Sequence, residues 1–289
     1  MLVAHLAGQV LHLVERRRLS RTYRVLDSIV TTTGAGIATR TDLMAYDGRG
    51  LAAVSNCRTP SVSLYRVGRS SLSFFKEIHS ADPLPGYMHG VEFSPDGEQI
   101  CLINSGGTCR IRVHDVATGD ERYTFEIPGW GPKDASYVDA GHLIVSLSDG
   151  SPTQERGAPY SSRVALVRLD VENERHEILD VADIPGAHVD AIFHFRGQVA
   201  VADQTNGLVR MYRVEGGRVT ADRTIGGFAF PHGVCLDRRR LAVTCYGDSS
   251  VCVLPRTADE FDPESTQELS RRQPQSLPGA SADRATANS

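Results

Sequence analysis

Two histidines and three aspartates recur in this chain at matching points of one short phrase, and these side chains can hold a divalent cation or exchange a proton. The phrase is a His or Asp, usually a small residue, then an apolar strand-like run. It reads Asp42-Leu43-Met44-Ala45-Tyr46, His89-Gly90-Val91-Glu92-Phe93, Asp134-Ala135-Ser136-Tyr137-Val138, Asp190-Ala191-Ile192-Phe193 and His232-Gly233-Val234-Cys235-Leu236. Successive phrases lie 47, 45, 56 and 42 residues apart, close to the roughly 40–50 residues of one four-stranded propeller blade. In a propeller the inner strands surround one axis, so equivalent positions at their starts converge on a single mouth. Two imidazoles and three carboxylates there suit Zn²⁺, Fe²⁺ or Mn²⁺, with His89, His232 and Asp190 as candidate ligands. Asp42, Asp134 and Asp190 are the candidate catalytic carboxylates. A bound metal would polarise a carbonyl or acidify a water and leave a spare Asp as general base. Three crowded acids repel unless something cationic or protonated intervenes. Taken singly, each of these positions also suits a plain polar cap on a channel.

The elements that must position these residues are legible in the second repeat. His89–Ser94 predicts an inner strand, Pro95-Asp96-Gly97 a turn, and Ile100–Asn104 a second strand. Cys109–Asp115 is the third strand and Arg122–Ile127 the outer one, with Ala117-Thr118-Gly119-Asp120 as the turn between them. The alternation in Arg110-Ile111-Arg112-Val113-His114 marks a half-exposed strand. The other repeats overlay on this one, so the expected fold is an all-β, five-bladed β-propeller, with six blades as the alternative. Second strands should end near the mouth, bringing Asn56, Asn104, Ser146, Asp203 and Cys245 beside the ring. Asn56, Asn104, Asp203 and Tyr246 are therefore candidate substrate contacts. The long third repeat carries an insertion from Ser148 to Tyr160 on the same face, which adds Arg156 and Tyr160 as contacts from a covering loop.

Residues 21–256 form the expected propeller. Its last blade lacks an outer strand after Pro255, and Arg21–Ile29 reads like one, which predicts ring closure by pairing beside Ser250–Pro255. In residues 1–20, Leu2, Leu6, Val10, Leu13 and Val14 fall at helical spacing and predict a short N-terminal helix. Residues 257–289 are polar, with six acids against three Arg, and predict a largely disordered tail.

Phe93-Ser94-Pro95-Asp96-Gly97 and the His-Gly-Val phrases at His89 and His232 resemble the YVTN/NHL/lactonase-like β-propellers. The resemblance runs from about Arg21 to Pro255 and is specific for fold rather than function. WD40 propellers match less well, because the Trp-Asp dipeptides are missing and Trp130 is the only Trp. The resemblance implies a central-channel site, since related propellers include zinc-dependent lyases with inner-strand His ligands and lactonases that use carboxylates. This chain departs from a three-His pattern by placing Asp at three of the five positions.

Composition narrows the function classes. Net charge is −4 and mostly resides in the tail, so the body carries no basic footprint for nucleic acid. No stretch reaches the roughly 18 apolar residues of a membrane span. The basic run Arg16-Arg17-Arg18 follows the apolar start instead of preceding it, unlike a secretory signal. Six Cys without a Cys-x-x-Cys pair suit a reducing compartment, so a cytoplasmic location is expected. Gly34-Ala35-Gly36 opens no βαβ unit, so no nucleotide cofactor is expected. The expected function is a small-molecule enzyme at the channel mouth, a metal-assisted lyase, hydrolase or isomerase/cyclase. The alternatives are a non-catalytic propeller binding a protein or carbohydrate, and a carboxylate-only glycosidase or lactonase.

Overall fold

The computed structural model describes residues 2–5, 9–16, 23–36, 38, 40–57, 59–81, 88–105, 109–149, 160–257, 260–261 and 267–268. Within them the regular structure is all β, and no helix is long and apolar enough to cross a membrane. A three-stranded N-terminal sheet comes first: β1 (Leu2–His5), β2 (Val10–Arg16) and β3 (Tyr23–Val30). Blade one is β4 (Thr41–Tyr46), β5 (Leu51–Asn56), β6 (Ser61–Val67) and β7 (Leu72–His79). Blade two is β8 (Met88–Phe93), β9 (Gln99–Asn104), β10 (Arg110–Asp115) and β11 (Glu121–Glu126). Blade three is β12 (Trp130–Asp139), β13 (His142–Asp149), β14 (Ser161–Asp170) and β15 (Arg175–Pro185). Blade four is β16 (Val189–Phe195), β17 (Gln198–Asp203), β18 (Leu208–Glu215) and β19 (Arg218–Gly226). Blade five is β20 (Pro231–Leu236), β21 (Arg240–Cys245) and β22 (Ser250–Thr257), with the short β23 (Glu260–Phe261) and β24 (Gln267–Glu268) on its outer edge. Each blade is an antiparallel meander, and the inner strands β4, β8, β12, β16 and β20 follow one another around the axis. The fold is a five-bladed β-propeller.

The turns hold for local reasons. At Pro95-Asp96-Gly97, Asp96 Oδ1 accepts hydrogen bonds from Ser94 Oγ (2.5 Å) and the Glu98 N–H (3.0 Å). Gly97 supplies the left-handed φ of 72° that this reversal needs.

The cores lie between blades, and side-chain alternation assigns each strand face to one neighbour. Ala53, Val62 and Leu64 of blade one pack with Val91, Ile100 and Leu102 of blade two. Blades two and three share Ile103, Val113, Ala135 and Val145, and blades three and four share Ile144, Leu166, Ile192 and Val201. Blades four and five share Ala202, Met211, Val234 and Val243, and Leu43 of blade one joins that cluster.

The N-terminus departs from the sequence expectation. Leu2–His5 and Val10–Arg16 are paired antiparallel strands, not a helix. Leu11 and Leu13, two residues apart, pack on Ala52, Val54, Tyr65 and Leu72 of blade one. That contact has the period of a strand, and tertiary burial outweighs the local helical spacing. Ring closure differs as well. Tyr23–Val30 pairs with β2 and not with Ser250–Pro255, while Glu260–Phe261 and Gln267–Glu268 pair with β22. The exposed edge is covered, but by a segment read from its polarity as tail. The rest of that tail lies outside the described residues.

Candidate metal and catalytic centre at the channel mouth

All five inner strands carry the same irregularity near their N-terminal ends, in blade three after a regular pairing from Trp130 to Pro132. The pairing register with the second strand slips between Thr41 and Met44, Met88 and Gly90, Pro132 and Asp134, Val189 and Ile192, and Pro231 and Gly233. Bulges of this kind leave a residue out of the ladder and re-aim its side chain. The residues after the slip points Thr41, Met88, Pro132, Val189 and Pro231 are Asp42, His89, Lys133, Asp190 and His232. Four of the five ring positions thus match the sequence phrases. Blade three does not. Its ring residue is Lys133, and Asp134 stands one step further on, equivalent to Gly90 and Gly233.

Several bulges are held by a hydroxyl from the second strand. Ser55 Oγ accepts from the Leu43 N–H (2.9 Å), Ser146 Oγ from the Asp134 N–H (3.1 Å) and Thr244 Oγ1 from the Gly233 N–H (2.8 Å). Ser146 Oγ also reaches the carbonyl of Asp190, which ties blade three to blade four beside the ring. Gly90 is required by close approach. A Cβ there would lie 2.5 Å from Asp134 Oδ1 and 2.7 Å from the Lys133 carbonyl oxygen.

Asp42, His89, Asp190 and His232 form a compact quartet. His89 Nε2 lies 2.8 Å from Asp190 Oδ1 and 3.3 Å from Asp42 Oδ2. His232 Nε2 lies 3.0 Å from Asp190 Oδ2 and 3.1 Å from Asp42 Oδ1. His89 Nδ1 lies 2.9 Å from the Lys133 carbonyl, which can only accept, so Nδ1 carries a proton and Nε2 is turned to the carboxylates. The four side chains are only 1–6 % exposed, so water screens them little. Burial opposes charge on His232, but Asp190 and Asp42 outweigh it and push its pKa up to about 10. Burial likewise opposes the Asp42 and Asp190 carboxylates. The facing histidines overcome it, holding Asp42 below the ordinary range and Asp190 well below.

A further group completes one wall. The Tyr246 ring stacks on His232 at 4.0 Å, and its hydroxyl donates to Asp42 Oδ1 at 3.2 Å. The Gln204 amide donates to Asp190 Oδ2. Gln204 was not anticipated from the sequence, although it stands one residue past the second strand of blade four, the position that Tyr246 holds in blade five.

The donor set fits a divalent cation. Asp42, His89 and His232 offer ligand atoms all within 4.8 Å of one another, and Asp190 faces the same two nitrogens. Tetrahedral zinc with bonds of about 2.0–2.1 Å places its ligands roughly 3.3 Å apart, close to the nitrogen–oxygen separations here. An imidazole anchored through Nδ1–H to a carbonyl is the usual second contact of a histidine ligand. Asp42 Oδ2 and Asp190 Oδ1 are buried, and among the described residues their polar partner is the single His89 Nε2, at 3.3 and 2.8 Å.

The remaining expected residues go elsewhere. Asp134 is buried and accepts from the Ile192 N–H (3.1 Å). Burial, reinforced by nearby Glu92, raises its pKa well above the usual range and favours the neutral acid. Glu92, not anticipated from the sequence, accepts from Ser136 Oγ and is pushed up to about 8 by burial. The Asn56 amide donates to Ser61 and Ser63 within blade one. Asn104 is fully buried opposite Met88. Asp203 is held by Arg210 (2.8 Å) and Asn206 within blade four, so it braces a turn instead of facing the quartet. Cys245 packs in the core between blades four and five. Tyr160 stands edge-on to His188, ring centres 5.2 Å apart, on the rim. Arg156 lies outside the described residues. Two open clefts, of about 390 and 640 Å³, lie away from the quartet.

Neither known protein-family models nor curated proteins match this chain. Solved structures do. Hydrazine synthase of Kuenenia stuttgartiensis is 19% identical, with 88% of this chain and 72% of that one covered at a TM-score of 0.61. A functionally unknown protein from Desulfotomaculum acetoxidans is 10% identical over 90% of this chain and 77% of its own, TM-score 0.59. A chain of a nidogen/laminin complex is 16% identical over 91% and 93%, TM-score 0.62. At such identities the likeness is one of β-propeller fold alone.

Proposed function

We propose that this chain is a metal-assisted small-molecule enzyme whose centre is Asp42, His89, Asp190 and His232, catalysing a lyase, hydrolase or isomerase/cyclase reaction. One observation carries the reading: two Nε2 atoms face four carboxylate oxygens at 2.8–3.3 Å. Each Nε2 has at most one proton to give, so hydrogen bonds alone leave part of this set unsatisfied. A divalent cation replaces two protons, matches the two carboxylate charges and leaves both imidazoles neutral. Zn²⁺, Fe²⁺ or Mn²⁺ would polarise a substrate oxygen or acidify a water there. The quartet would hold the ion, Gln204 would fix Asp190, and Tyr246 would orient Asp42 while giving the mouth an exposed face. The resemblance of the His-Gly-Val phrases to YVTN/NHL/lactonase-like propellers agrees with a channel-mouth site.

A second reading draws on the near-closure of the quartet. Side chains only 1–6 % exposed would brace four inner strands in a non-catalytic propeller that binds a protein or carbohydrate at its rim. Elemental analysis of protein purified without chelator separates the two. The enzyme reading expects about one equivalent of a divalent metal in the wild type and little in Asp190→Asn. Metal-free wild-type protein that also takes up none on dialysis against Zn²⁺, Fe²⁺ or Mn²⁺ would reject it.

A further inference from the structure

The register of blade three gives the ring a fifth member that the repeat in the sequence concealed. Lys133 occupies the bulge position shared by Asp42, His89, Asp190 and His232. Its backbone already serves the site by accepting from His89 Nδ1. Its side chain is half-buried and acts electrostatically on His188 and on the Cys109 thiol, both on the mouth side of neighbouring blades. The ammonium makes no ion pair within 4.0 Å among the described residues. The acids around it are engaged otherwise. Asp42 and Asp190 face both imidazoles, Asp134 accepts from Ile192, and Glu126 is held by Arg110 at 2.7 Å.

Charge accounting then points one way. With a divalent cation in place, the two carboxylates of Asp42 and Asp190 cancel it and the imidazoles are neutral. Lys133 then remains as a positive charge with no ion-pair partner among the described residues. A lysine whose stem is half-buried and whose ammonium has no carboxylate in reach among the described residues is placed to pair with an incoming anion. We infer that the substrate is an anion bearing a carboxylate or phosphoryl group, and that Lys133 binds that group while the quartet acts on an atom beside it. The inference rests on the metal-assisted reading of the mouth and adds the class of substrate.

The test uses the full chain in two forms, loaded with Zn²⁺ and stripped with chelator, titrated calorimetrically with malonate, inorganic phosphate and uncharged malonamide. The expected result is that malonate or phosphate binds, that malonamide does not, and that Lys133→Met weakens anion binding about tenfold or more. Lys133→Arg, which keeps the charge, should stay within about threefold. Preference for malonate over phosphate, or the reverse, identifies the group. Equal binding by Lys133→Met, equal binding of malonamide, or no anion binding by the wild type would overturn the inference even if zinc is taken up. Lys133-dependent anion binding by a protein that takes up no metal would support the anion site and reject the metal centre.

Discussion

Replacing Asp190 with Asn tests the electrostatics of the quartet most directly. In the wild type without metal, His232 is raised from 6.5 to about 10, with Asp190 contributing more than Asp42. At about 1.4 kcal/mol per pH unit, this interaction is worth at most ~5 kcal/mol. Asp190→Asn removes the larger share and leaves His232 facing one carboxylate, so stability at pH 6 should fall by about 3 kcal/mol. That is a large part of a typical domain's stability. The pH dependence follows from the same shift. A group with a raised folded pKa contributes fully below its unfolded value, so the His232 term is complete below pH 6.5. It declines from 6.5 and is lost by about pH 10. Asp190, held low, contributes above the ordinary carboxylate value of 3.8, and that part is lost as pH falls through its depressed value. Glu92, raised from 4.5 to about 8, separately makes stability fall with rising pH over that interval. The wild-type-minus-variant difference largely cancels its contribution. Guanidinium unfolding in chelator at pH 5 to 10 measures that difference, which should be largest near pH 5–6 and shrink towards pH 10. A difference that is absent at pH 6, or that grows between pH 7 and 10, would refute the reasoning.

If the quartet holds zinc as proposed, the ion must displace the His232 proton, so its affinity should rise with pH up to about tenfold per unit between pH 7 and 9. Calorimetry in buffers of different ionisation enthalpy should count at least one proton released per metal. Gly90→Ala drives a Cβ to 2.5 Å from Asp134 Oδ1 and 2.7 Å from the Lys133 carbonyl, so denaturant unfolding should show about 1–3 kcal/mol of destabilisation. Tyr246→Phe keeps the ring on His232 and loses the hydroxyl's bond to Asp42. It should cost about 1 kcal/mol, and Tyr246→Ala clearly more; equal effects would mean the stacking contributes nothing. Ser146→Ala removes the hydroxyl shared by Asp134 and Asp190 and should destabilise by about 1–2 kcal/mol in the same unfolding measurement.

The chain's own order determined the blades, because each blade is local. One meander of about 45 residues makes its own turns, and the spacing of Asp42, His89, Asp190 and His232 carries straight through to four ring positions. Tyr246 was also legible, one residue past the second strand of blade five. What the sequence left open depended on pairing between segments. A one-residue slip moves a side chain to another face, and only the ladder between β12 and β13 shows that Lys133, and not Asp134, fills the bulge. Asp134 and Lys133 are adjacent, and the aspartate fits the repeated phrase better. The N-terminal segment became strands because blade one offers Ala52, Val54 and Tyr65 as a flat apolar face that no local window can register. Asp203 likewise fits the repeat, yet its carboxylate is claimed by Arg210, seven residues downstream, through the tight return of β17 to β18. Periodicity sets which residues approach the axis, and long-range register, burial and charge pairing decide which of them meet there.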